Sequence, residues 1–209
     1  MSRLCFFIIM DPVEIIGVAL SLVSLVLEYR ASRWFWFFSI VSSLMYVYIN
    51  FSNNIYANGA IQIYYFATSM YGLIYWLRTR DKAASGSEEK NLESMPTRWW
   101  PIVIAAVAVL TVGIAWALRA LGESKVYWFD GLSAALGIVA MILTAKKYYQ
   151  SWLLWICVEP LMIIMYFING NYPSSAMYVV YLVFAIMGFF RWRTLALQNS
   201  NKESDNNLQ

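Results

Sequence analysis

The chain has 209 residues, of which 61% are hydrophobic and only 13% charged, with a mean hydropathy of +0.56. Soluble domains carry about 25% charged residues, so an ordinary soluble domain is excluded and a single bilayer domain is the natural reading. Net charge is +3 with no histidine, which removes the usual proton relay, general base and commonest metal ligand.

The opening MSRLCFFIIMDPVE has no small-residue cleavage site, so residues 1–10 read as an N-terminal extension with Met10 as an alternative start. Cys5 and Cys157 both fall in apolar runs, which argues against a structural disulfide. Runs able to cross ~30 Å of hydrocarbon fall at 12–28, 34–51, 56–77, 99–118, 128–145, 151–169 and 174–192. The polar stretch RTRDKAASGSEEKNLESMPTR (78–98) is predicted to be a mobile linker loop, and the tail (193–209), ending QNSNKESDNNLQ, to be disordered. Seven spans place the chain ends on opposite sides. Of the 15 basic residues, only Arg3, Arg119 and Lys125 fall on the N-terminal side. The positive-inside rule then puts the N-terminus outside and the C-terminus in the cytoplasm, and assigns the basic excess to orientation rather than to nucleic-acid binding.

Spans 1–3 (11–77) and 5–7 (128–192) can be laid over one another. Glu14 matches Asp130, Arg30 matches Lys146, and Ala60, Tyr65, Gly72 and Trp76 match Ala176, Tyr181, Gly188 and Trp192, all 116 residues apart. In the middle helix Trp34 aligns with Trp152 and Tyr48 with Tyr166, 118 residues apart, which calls for two small gaps. Span 4 (99–118) has no counterpart. The expected fold is therefore an all-α membrane protein of seven transmembrane helices: two parallel three-helix repeats joined by a linker helix, with a substrate site between the halves.

In span 6, Trp152, Trp155 and Glu159 are spaced i, i+3 and i+7, within about 60° of one another on a helix. Pro160 removes a backbone hydrogen bond and predicts a kink. A carboxylate in mid-span costs on the order of 2.5–3.5 kcal/mol even on mild scales, and such groups mark functional sites. Span 3 presents Gln62, Tyr65 and Ser69 on one face with Thr68 beside it, and the repeat sets Tyr178 and Tyr181 of span 7 at the places of Gln62 and Tyr65. Tyrosine and serine stripes also serve plain helix packing, and a tryptophan near a span end also serves as an interface anchor. Glu159 reads as the one acid at depth, with no lysine or arginine at a comparable level. Its counter-charge is then a proton, a bound ion or a cationic substrate.

The stretches WLLWICVE, GNYPSSAMYVVY and IYANGAIQIYYFATSMYG resemble the PnuC family of bacterial vitamin transporters, over about Glu14 to Trp192. The resemblance implies a full-length SWEET-like fold and facilitated uptake across the inner membrane, followed by phosphorylation in the cytoplasm that traps the vitamin. It also implies no cofactor and a homo-oligomer, a trimer. By correspondence, Gln62, Trp152 and Trp155 would line the substrate. Where nicotinamide riboside carriers of the family usually have Asn, this chain has Glu159; with LEYRASRWFW this looks more like the thiamine-type branch, PnuT. Thiamine, a small cationic vitamin, is thus the expected cargo, with nicotinamide riboside or riboflavin as the alternative. Indole faces attract such a cation at ~0.5–2 kcal/mol per contact, and a carboxylate neutralises it.

Two other classes fit less well. A retinal protein needs a lysine in its last span, and AMYVVYLVFAIMGFF has none. A membrane enzyme needs a paired acid and base or a metal at depth, and only one carboxylate is in view. For the same reason the expected transport is uniport rather than proton-coupled.

Overall fold

The computed structural model describes residues 12–52, 56–80, 92–122 and 124–206. Among them the chain forms α1 (Pro12–Tyr29), α2 (Trp34–Ser52), α3 (Tyr56–Arg80), α4 (Trp100–Leu121), α5 (Tyr127–Ala145), α6 (Ser151–Ile168) and α7 (Tyr172–Asn206). The expectations for residues 1–10 lie outside this range. Of these helices, α2, α4, α5, α6 and the first 30 residues of α7 are long and apolar enough to cross a membrane; α4, with a 3-10 turn before it, is the most apolar, at a mean hydropathy of 2.4. Backbone polar groups find no water in hydrocarbon, so apolar runs of this length are driven into helices that bond internally. Large apolar side chains such as Ile104, Val109 and Trp116 point outward from α4, which is the arrangement lipid solvation favours.

Local signals set the ends. Pro101 stands at the start of α4, where its missing N–H costs nothing, and Gly122 closes the helix in the left-handed conformation at φ 69°. Pro160 does not break α6, which stays helical from Ser151 to Ile168. α7 continues well past Trp192, so the predicted disordered tail is helical as far as Asn206. RTLALQNSNKES holds no glycine or proline, and the extension is packed: Ala196 is buried and the Asn199 amide donates to the Leu92 carbonyl at 3.3 Å.

The predicted linker loop is also shorter than expected. α3 runs to Arg80, residues 81–91 lie outside the described range, and residues 92–95 dock. Leu92 and Met95 are buried. The Glu93 N–H donates to the Lys147 carbonyl at 3.1 Å, and the Gln150 side chain accepts from Met95 N–H at 3.0 Å.

α5 lies at the centre, packed by α3, α4 and α6. Its small residues Gly131, Ser133, Ala135, Gly137 and Ala140 are all buried, which lets neighbouring backbones approach closely. α1 and α5 end in the same way. Ser32 N–H bonds the Leu27 carbonyl and Ala31 N–H the Glu28 carbonyl; Tyr148 N–H bonds the Leu143 carbonyl and Lys147 N–H the Thr144 carbonyl. This is the Schellman pattern. The left-handed position is held by Ala31 (φ 50°) and Lys147 (φ 60°) instead of glycine.

Four fully buried tryptophans join these corners. The Trp76 indole of α3 donates to the Ala145 carbonyl at the end of α5, and the Trp192 indole of α7 to the Tyr29 carbonyl at the end of α1, at 3.0 and 3.2 Å. Trp36 packs edge-on to Trp76 at 5.7 Å, and Trp152 edge-on to Trp192 at 5.5 Å. All of these partners stand 116 residues apart, in the middle helix as well. Trp36 therefore corresponds to Trp152 where Trp34 was expected, and the 118-residue offset and its gaps fall away; Trp34 is largely exposed.

A Cβ on Gly72 would stand 2.6 Å from the Trp36 ring, and one on Gly188 equally close to Trp152. Indoles packed on both sides cannot yield, so Gly72→Ala and Gly188→Ala are each expected to destabilise the fold by about 1–3 kcal/mol. Gly113→Ala, which meets nothing within 4 Å, is expected to leave the melting temperature of the detergent-purified protein unchanged or raised.

Candidate functional site

The stripe on α6 divides between two environments. Trp152 belongs to the tryptophan core, with its ring against Gly188 and Trp192. Trp155, one turn on, is half-buried and packs against both core clusters, so it stands where they meet. Glu159, a further turn along, is buried, and its Oε2 has no hydrogen-bond partner.

Three tyrosines gather near that acid. The Tyr65 hydroxyl of α3 lies 2.7 Å from where a Gly137 Cβ would stand, beside the Trp155 ring, and it feels the Glu159 charge. On α7, Tyr178 stacks on Tyr166 at 5.2 Å and meets Tyr181 edge-on at 5.4 Å. Both lie within electrostatic reach of Glu159, and the Tyr181 hydroxyl pairs with Ser21 of α1. Tyr65, Trp155, Glu159, Tyr178 and Tyr181 are thus brought together by α3, α6 and α7, with Gly137 of α5 making room.

The other expected residues are placed differently. Thr68 is buried but donates to the Tyr64 carbonyl of its own helix at 2.9 Å. Ser69 is fully buried with an unpartnered hydroxyl, and Gln62 is half-buried one turn before Tyr65. Neighbouring Tyr64 ties α3 to α5 through the Ile138 carbonyl at 2.8 Å.

Glu159 is not the one acid at depth. Glu28, in the last turn of α1, is also buried. Thr144 of α5 donates to its Oε1 at 3.4 Å. The Trp155 indole N–H reaches toward the same carboxylate, short of a well-formed hydrogen bond. Glu159 lies within electrostatic reach of Glu28, and among the described residues no lysine or arginine acts on either. Position hid Glu28 from the sequence reading, because an acid at a span end beside Arg30 resembles a headgroup-level charge. A usable signal was present: Ser21, Ser24 and Glu28 follow the i, i+3, i+7 spacing of the α6 stripe.

A groove of about 530 Å³ beside α7, lined by Tyr29, Met187, Phe190, Arg191, Thr194, Leu195 and Gln198, shares none of these residues.

Aromatic plates around buried acids, framed by membrane helices, suit a carrier for a flat cationic solute. A model of the family described as nicotinamide mononucleotide transporter matches residues 11–194. The chain belongs to this family. Similar proteins include the nicotinamide riboside transporter PnuC of Escherichia coli (strain K12), 24% identical over 80% of this chain and 79% of that one. The riboflavin/roseoflavin transporter RibM of Streptomyces davaonensis is 29% identical, over 86% and 83%. The crystal structure of the vitamin B3 transporter PnuC shares the fold, with a TM-score of 0.70 and 23% identity, over 88% of this chain and 81% of that one. The protein is therefore a multi-pass inner-membrane transporter of the PnuC family. The thiamine-type branch expected from the sequence finds no support in these relatives, whose names refer to nicotinamide riboside and riboflavin.

Gly137→Ala tests the Tyr65 placement. Its methyl would press only on the tip of a rotatable side chain, so the expected loss of stability is under about 1 kcal/mol. Vitamin binding is expected to weaken severalfold as the hydroxyl is displaced. Isothermal titration beside a thermal melt of the same variant reads both.

Proposed function

We propose that the protein is a facilitated carrier for an aromatic vitamin cation, with nicotinamide riboside the leading cargo. Seven spans form two parallel three-helix units around linker helix α4, with the N-terminus outside and the C-terminus in the cytoplasm. The single observation that carries this reading is the buried Glu159 carboxylate, with one oxygen unpartnered, among Trp155, Tyr65, Tyr178 and Tyr181. A buried anion needs a compensating charge, and a flat cation supplies it while its ring stacks on the indole. The relatives named for nicotinamide riboside favour that cargo; its pyridinium bears a fixed positive charge. Trp152, closed into the core, supports the site by holding α6 against α7.

Thiamine is the second reading, favoured by the two carboxylates at one site. It bears both a thiazolium cation and an aminopyrimidine donor, which two acids satisfy together. Riboflavin is uncharged and gains nothing from either acid.

Binding to the purified protein, followed by quenching of tryptophan fluorescence, is expected for nicotinamide riboside or thiamine well ahead of riboflavin. Glu159→Gln is expected to weaken the cation by tenfold or more, as a hydrogen-bonded charge contributes about 1.5–3 kcal/mol, and Trp155→Ala by a similar factor. Preference for riboflavin, or unchanged affinity in Glu159→Gln, overturns the electrostatic assignment. Uptake into empty liposomes is expected to stop at equal concentrations on the two sides.

A further inference from the structure

The leading reading rests on Glu159 and gives Glu28 no contact of its own, yet the geometry of Glu28 carries one. Trp76 and Trp192 tie the ends of α1 and α5 into one face of the bundle, from which α6 departs. Glu28 is the penultimate residue of α1, and Glu159 lies eight residues into α6. At 1.5 Å per residue their backbones differ in depth by about 10 Å. Helical side chains lean toward the N-terminus of their own helix. α1 runs toward this face and α6 away from it, so the two carboxylates lean toward each other from opposite ends of the gap. Trp155 stands between them, packed near Gly137 and reaching toward Glu28.

Several polar atoms are buried here without partners: Glu159 Oε2, the Trp155 indole N–H and the Ser24 hydroxyl one turn before Glu28. Among the described residues the groups that face the acids are Thr144, Trp155, Tyr65, Tyr178 and Tyr181, none of them cationic. Simple structural service would leave a buried acid satisfied by protein donors, whereas among the described residues Glu28 has one long bond from Thr144 and a Trp155 indole that falls short of another.

We propose that Glu28 is a second cation-contacting residue, the one nearer the face where α1 and α5 end, so that the site holds its organic cation between two carboxylates with the Trp155 indole beside it. This deepens the carrier reading above and rests on it. Two consequences follow. Selectivity for a positive ring over an uncharged ring of the same shape is divided between Glu28 and Glu159. An occupant that also offers a hydrogen-bond donor satisfies both acids at once.

The test compares each cation with an uncharged relative on the purified full chain: nicotinamide riboside with its reduced dihydro form, and thiamine with 3-deazathiamine. Wild type is expected to prefer the cation in at least one pair. Glu28→Gln is expected to lose tenfold or more of affinity for that cation and under threefold for its uncharged relative. Thr144→Val, which keeps the Glu28 charge, is expected to shift both members of the pair by the same factor. Glu159→Gln is expected to retain a reduced preference that the Glu28→Gln/Glu159→Gln double variant abolishes. An unchanged preference ratio in Glu28→Gln overturns the proposal while leaving the carrier intact. Should Glu28→Gln not fold, complete loss of preference in Glu159→Gln alone overturns it too. If wild type prefers no cation in either pair, the carrier's electrostatic reading and this proposal fall together.

Discussion

Two crossed hydrogen bonds, from Trp76 to the end of α5 and from Trp192 to the end of α1, tie α3 to α5 and α7 to α1. Each satisfies a carbonyl at a helix end, where the intrahelical ladder has run out. In an apolar surrounding such a carbonyl would otherwise cost several kcal/mol. The bonds exist because α1 and α5 close in the same left-handed corner, at Ala31 and Lys147. They persist because Trp36 and Trp152 brace the donors, and those rings fit only over Gly72 and Gly188. Indole, corner and glycine thus form one unit, repeated 116 residues on.

The candidate site is a consequence of that clamp. With the helix ends fixed to one another, Glu28 reaches Thr144 of α5 and faces the Trp155 indole of α6, and Glu159 lies within its electrostatic reach. At the end of α5 the Lys147 ammonium lies 4.8 Å over the Trp76 ring, where a cation is attracted by the aromatic face. The same corner therefore supplies a helix stop on one side and a captured charge on the other. The docked segment 92–95 adds its backbone bonds to this corner, which ties the connection after α3 to the far half of the bundle.

Departures from the sequence-based expectations have physical causes. The α7 extension lacks apolar density, but nothing in it breaks a helix, and Asn199 and Ala196 find partners on the docked segment and the core. Trp34 and Trp36 are indistinguishable by composition; only the ring that meets Gly72 is the structural counterpart of Trp152. The place of Glu28 at the end of α1 does not mark it as buried, because the groups that meet it come from α5 and α6. Thr68, read as a site residue beside the polar face of α3, is satisfied within its own helix.

Hydropathy along the chain determined the helices and, apart from the C-terminal end of α7, their bounds to within three residues, because apolar length is a local property that hydrocarbon selects directly. Local spacing likewise put Trp155 and Glu159 on one face of α6. Which tryptophans of α2 and α6 are core was decided by glycines more than 30 residues away in sequence. That Glu28 lies within reach of Glu159 was decided by side chains that α1, α5 and α6 bring together across the bundle. Contacts of that kind depend on the register between helices, and a single strand of sequence does not state which face of one helix meets which face of another.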